Sequence, residues 1–128
     1  MRLLLDTHAL LWWLIGDEAL SPVAHEAIAD PANEIFVSAA SAWEIATKYR
    51  IGRLPEATLI AADIRGTIAE QGFAELPITI HHGQIAGSLP GIHQDPFDRM
   101  LVAQALTADM AIISNDEILG AYGIARLW

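Results

Sequence analysis

Four acidic residues stand where an apolar segment passes into a turn or helix: Asp6 in RLLLDTH, Glu44 in SAASAWEIATK, Asp98 in HQDPFDRMLVAQA and Asp116 in AIISNDE. In an α/β fold, ligands bind beyond the carboxyl ends of the strands, so residues remote in sequence can converge there. Four carboxylates brought together repel one another unless cations hold them. The set is therefore a candidate metal site. The chain has no cysteine, which removes disulfides, thiol nucleophiles and thiolate zinc sites together.

Each acid also has an ordinary structural role. Asp6 follows a strand and precedes a helix, the position of an N-cap. Ser41-x-x-Glu44 fits a capping box, and Glu44 with Lys48 makes a favourable i,i+4 pair. Asp98 is harder to place as surface. On a helix opening near Pro96 it shares a stripe with Leu101, Val102 and Ala105, where a carboxylate faces desolvation unless it is hydrogen-bonded, protonated or bound to a cation. Its neighbour Asp95 precedes proline in the plain N-cap position. Asp116 can cap a short helix, while Ser114 and Asp116 together offer two oxygens at a strand end. His93 is a candidate for substrate contact or proton transfer, with a loop histidine bonded to backbone as its ordinary role. Arg99 can pair with a site carboxylate or reach a phosphate, and the structural pairing is favoured. His81 and His82 have no zinc-favouring spacing and read as structural or surface.

Strands and helices must bring these side chains together. RLLL reads as a short buried strand, followed by the helix THALLWWLIG ended by Gly16. Ser21-Pro22 opens a second helix to about Asp30. EIFVS is the next strand, and Ser38 or Ser41 caps a helix running to Arg50, closed by Gly52. Apolar spacing from Glu56 to Glu70 predicts one long helix. FAELPI reads as a short strand, TIHHGQIAGSLPG as a short helix and loop, and Asp95-Pro96 as the start of a helix to about Ala108. AIIS, a short helix near Glu117 and a final strand IARLW complete the chain. This alternation predicts one α/β domain over 1–128, a mostly parallel sheet covered on both faces.

The 128 residues suit a single core, and no apolar run approaches the roughly 20 residues that span a bilayer. The expectation is a cytoplasmic protein with no membrane partner. A hydrophobic content of 53% exceeds the usual value and points to self-association or a protein partner, with Trp12, Trp13 and Trp128 as candidates for that surface or for ordinary core. A net charge of −9 argues against broad basic nucleic-acid binding but not against a nuclease, since bound cations would offset the carboxylates. Lys48, Arg50 and Arg53 cluster just after Glu44, as a solvated helix end or as a phosphate contact.

In this order and spacing, DTHALLWWL, SAASAWEIATKYRIGRL, HQDPFDRMLVAQA and ISNDE resemble the motifs of PIN-domain ribonucleases, most closely VapC-type toxins of toxin–antitoxin pairs. The resemblance covers nearly the whole chain, and DPFDRMLVAQA is its most specific segment. It implies a PIN-like three-layer α/β/α sandwich around a five-stranded, mostly parallel sheet. It also implies metal-binding and catalytic roles for Asp6, Glu44, Asp98 and Asp116, with Thr7 and Ser114 as small hydroxyls beside the first and last of them. Mg²⁺ or Mn²⁺, an RNA substrate, homodimers and a cognate antitoxin are implied as well. Some relatives carry another acid two residues after the last one; here that position is Ile118, which leaves open whether one metal binds or two. A non-catalytic protein-binding module and a housekeeping RNA-processing nuclease are the alternative readings. A phosphotransfer domain fits less well, because no DxDxT follows the first strand and Lys48, the only lysine, lies in an early helix.

Overall fold

A strand that is apolar at every position is buried on both faces, as parallel sheets require. Leu3, Leu4 and Leu5 are fully buried accordingly. In the computed structural model, which describes residues 1–91 and 94–128, they belong to strand β1 (Arg2–Leu5) at the centre of a five-stranded, all-parallel sheet. The others are β2 (Glu34–Ser38), β3 (Ala74–Leu76), β4 (Ala111–Ile113) and β5 (Arg126–Leu127), in the order β3-β2-β1-β4-β5. Leu5 pairs with Val37 on one side and Ile113 on the other.

Side chains alternate across a strand, so β1 feeds two cores. Leu3 and Leu5 join Leu10, Ile35, Val37, Ile45 and Ile113 on one face, beneath helices α1 (Thr7–Ile15), α2 (Pro22–Ala29) and α3 (Ala39–Arg50). Leu4 joins Leu101, Val102, Ala105 and Ile112 on the other, beneath α7 (Pro96–Ala108). The result is the expected three-layer arrangement. Among the described residues, no helix is long and apolar enough to cross a membrane.

Two local expectations are corrected. The stretch from Glu56 to Glu70 is a 3₁₀ turn (Pro55–Ala57) and two short helices, α4 (Thr58–Ala61) and α5 (Ile64–Glu70). Asp63 interrupts them with φ −153° and ψ 77°, and its carboxylate caps α5 by accepting the Gly66 N–H at 2.9 Å. The local cap outcompetes a continuous helix because Gly66 leaves room for it: a Cβ there would lie 2.1 Å from Asp63 Oδ2. Asp63→Ala is expected to cost about 1 kcal/mol in urea unfolding, and an unchanged midpoint would show that the cap is not what sets this break.

The second correction concerns α3. Ser38, not Ser41, is its N-cap and accepts from Ala40 N at 3.0 Å. The Ser41–Glu44 capping box does not form, because the helix starts one turn earlier and both side chains turn inward. The helix expected in TIHHGQIAGSLPG is α6 (Ile80–Ser88), where Thr79 and His82 form a reciprocal capping box. That gives His82 the structural role read from its spacing. Trp12, Trp13 and Trp128 pack partly buried against the first core, with Trp12 and Trp128 ring centroids 5.7 Å apart.

Candidate active site

From β1 the chain moves outward through β2 to β3, then returns to the opposite side of β1 for β4 and β5. The direction of winding thus reverses beside β1, and a crevice opens at the carboxyl ends of strands flanking such a point. Asp6 directly follows β1 and Ser114 directly follows β4. The Asp6 N–H still donates to Ile113 O at 3.1 Å, so the ladder holds the acid in place.

The Asp6 carboxylate caps α1 by accepting the Ala9 N–H at 2.7 Å and also takes a hydrogen bond from the Ser114 side chain. It is only 8% exposed. Burial pushes this carboxyl above its ordinary value near 3.8, against the pull of Ser114, Ala9 and the nearby His8, and Glu44 adds to the push. Ser114 Oγ in turn accepts the Asp116 N–H at 3.0 Å, and Asp116 Oδ1 caps the 3₁₀ turn Glu117–Tyr122 through Ile118 N at 3.0 Å. Capping and orientation coexist in both acids.

Ser41 and Glu44 lie on the buried face of α3. The Thr7 hydroxyl donates to Glu44 Oε1 at 2.6 Å and lies 3.1 Å from Ser41 Oγ, tying the start of α1 to α3. The other Glu44 oxygen pairs with Lys48 one turn on. Lys48 also senses the charges of Asp95 and Asp98. Burial works against its charge, yet the Glu44 hydrogen bond and these three carboxylates outweigh it and raise its pKa above 10.5. Asp95 caps α7 through Phe97 N and Asp98 N. Asp98 is half-buried at the head of the Leu101, Val102 and Ala105 stripe, as the helical spacing required.

The structure therefore joins Thr7 to Glu44, and Asp6 to Ser114 and Asp116, by hydrogen bonds, with Glu44 close enough to Asp6 to act on its charge. Asp95 and Asp98 join through Lys48. Among the described residues, no three His, Asp or Glu side chains stand as a closed metal cage. The donor chemistry nevertheless fits a hard divalent cation: the set is all oxygen, a buried carboxylate is held against its desolvation cost, and Mg²⁺ needs only one or two carboxylates beside water. His93 lies outside the described residues. Arg99 donates to the carbonyls of Ala86 and Leu89 and so braces α7 against the end of α6.

One residue escaped the sequence reading. Gln104 is fully buried, accepts from the Ser38 hydroxyl and donates to Pro77 O at 3.2 Å, fixing the end of β2 against α7. A lone amide inside the apolar run MLVAQALTA was the available signal.

A family model described as the PIN domain matches residues 3–124. The chain belongs to the PIN-domain family. This PIN domain is also similar to Ribonuclease VapC16 of Mycobacterium tuberculosis, 37% identical over 59 residues, which are 46% of this chain and 40% of that protein. Among solved structures it resembles VapBC2 from Rickettsia felis bound to a DNA fragment from their promoter, with a TM-score of 0.70, 12% identity, and 98% and 97% of the two chains covered. FitAcB from Neisseria gonorrhoeae aligns with a TM-score of 0.61 at 17% identity, over 97% of this chain and 95% of that one. At these identities the structural likenesses carry the PIN fold.

Proposed function

We propose that this PIN domain is an endoribonuclease that hydrolyses RNA phosphodiesters with Mg²⁺ or Mn²⁺, and that it serves in the cytoplasm as the toxin of a toxin–antitoxin pair. The observation that carries the reading is the buried Asp6 carboxylate at the end of β1, linked through Ser114 to Asp116 and close enough to Glu44 to feel its charge, while Lys48 feels the charges of Glu44, Asp95 and Asp98. The named relative is a ribonuclease, which supports the substrate class.

Asp6 and Asp98 would hold a divalent cation, with Glu44 and Asp116 contacting it through water or orienting the attacking water. Such a cation supplies Lewis acidity and lowers the pKa of water. The chain's own groups set the geometry. Ser114 and the Ala9 N–H fix Asp6, Thr7 fixes one Glu44 oxygen, and the Asp95 cap fixes the first turn from which Asp98 projects. Water adds to phosphorus as the ribose oxygen leaves, and no side chain becomes covalently attached.

An antitoxin partner is supported by the likeness to a VapBC complex and by the chain's net charge of −9, which suits a basic partner. Self-association into a homodimer belongs to the same reading, supported by the apolar excess.

Asp98→Asn tests the site. The folded variant is expected to lose at least about 100-fold in RNA cleavage with Mg²⁺; parent-like activity would remove Asp98 from the mechanism. Mn²⁺ should also raise the melting temperature of the parent, since a ligand at 100 times its Kd adds about 2.7 kcal/mol. A non-catalytic binding module is the second reading, favoured by the lack of a closed cage among the described residues. No thermal shift at millimolar Mn²⁺ together with no cleavage would select it.

A further inference from the structure

Two aromatic residues immediately precede two of the acids: Trp43 before Glu44 and Phe97 before Asp98. Their rings meet edge to face, with centroids 5.0 Å apart, although they come from different helices. Trp43 is 63% exposed, more than any other Trp, Phe or Tyr among the described residues. A side chain that buries 150–250 Å² when enclosed is costly to leave in water. The Lys48 ammonium lies 5.9 Å from the Phe97 centroid and pairs with Glu44, so a cation adjoins both the aromatic pair and one of the acids.

Trp43 and Phe97 line a groove of about 270 Å³ together with Gly83, Ala86, Gly87 and Arg99. A Cβ added at Gly83 or Gly87 meets nothing within 4 Å, so the space beside both glycines is open. The groove is smaller than the roughly 300–1,000 Å³ of pockets for drug-sized molecules. It is apolar, edged by a ring and next to a cation, which suits one flat, heteroaromatic group attached to a phosphate.

We propose that Trp43 and Phe97 form a stacking platform for one unpaired nucleobase adjoining the phosphate held at the acids. The proposal rests on the ribonuclease reading and adds to it a binding subsite. Stacking on aromatic rings is strong for every base and requires a base free of its duplex. Lys48 meets the phosphate flanking that base, and the rigid backbone steps from Trp43 to Glu44 and from Phe97 to Asp98 hold the base and the scissile bond in register. The platform thus selects single-stranded RNA.

The test is anisotropy of a fluorescein-labelled, six-nucleotide single-stranded RNA with Ca²⁺ replacing Mg²⁺, alongside cleavage in Mg²⁺. Trp43→Ala is expected to weaken binding roughly 5- to 100-fold, with Trp43→Phe retaining most of it. An abasic position scanned along the RNA should weaken the parent at one place, and cost Trp43→Ala nothing more there. Gly87→Leu, which fills the groove at a helical position where a side chain is tolerated, should weaken binding without lowering the melting temperature. Parent-like binding and cleavage by Trp43→Ala would overturn the platform and leave the nuclease intact. So would a change in sedimenting mass without a change in RNA affinity, which would assign this face to a second copy of the chain. A parent that neither binds nor cleaves RNA would overturn both readings.

Discussion

Replacing Asp6 by Asn is expected to abolish RNA cleavage and, in the same protein, to raise the melting temperature of the metal-free form at neutral pH. The two effects have one cause. Asn caps a helix as well as Asp does, so the hydrogen bond from Ala9 N survives while the buried charge disappears. Burial lifts the Asp6 carboxyl above 3.8, which means the folded state holds its proton to higher pH than the unfolded state. Stability therefore falls as pH rises from about 3.8 through the raised folded value. Above that window the ionised carboxylate opposes the fold, and removing a buried charge is worth about 1 to 3 kcal/mol. In EDTA the gain should shrink as pH falls towards 4 and vanish once both states are protonated. His8 and Glu44, the charged neighbours, stay in place in both proteins. Loss of cleavage by about 100-fold or more would follow from losing a cation ligand worth several kcal/mol. A variant less stable than the parent at pH 7 in EDTA would show that the carboxylate is well paired without metal. The site would then not be waiting for a cation.

Lys48→Met should destabilise the protein by about 2 kcal/mol, and adding Glu44→Gln should restore most of the loss. Glu44 has a side chain only 6% exposed, so removing Lys48 leaves a buried charge with Thr7 as its described hydrogen-bond donor. Breaking a buried pair costs about 3 to 5 kcal/mol; the Lys48 side chain is 30% exposed, and solvent screening reduces that figure. Against its own burial, Glu44, Asp95 and Asp98 raise the Lys48 pKa above 10.5. The stability the pair contributes is present below that ordinary value and is lost as pH rises through the raised one. Urea unfolding of the two single variants and the double variant gives the coupling directly. Additive losses would mean that Lys48 stabilises only by packing on Phe97.

The sequence carried the fold because its apolar runs are clean. Leu3–Leu5 and Ala111–Ile113 have no polar position until the acid or hydroxyl that follows them, and that is how a central parallel strand must look. The N-caps at Ser21 and Asp95 were equally plain, because proline follows each. Where a local hydrogen bond competes with periodicity, reading failed: Asp63 captured the Gly66 N–H, and the apolar spacing from Glu56 to Glu70 gave no warning of it. Glu44 misled in the opposite sense. Its partners in the string, Ser41 and Lys48, are real neighbours, yet Ser41 faces Thr7 across a helix interface instead of capping. Sequence spacing specifies which residues share a helix face. It cannot specify which other face they meet, and so the Trp43–Phe97 contact and the Ser38–Gln104 hydrogen bond had no signature in the string.

The strand order also fixes when the crevice can exist during synthesis. Strand β1 precedes the other four strands in the chain, and its second neighbour, β4, spans Ala111–Ile113 and is made only after β2 and β3. Until then Asp6 lacks both the Ile113 carbonyl that anchors its backbone and the Ser114 side chain that orients its carboxylate. Pairing so distant in sequence is slow to form. A nascent chain on the ribosome therefore carries three of the four acids, already translated, with no wall to gather them against.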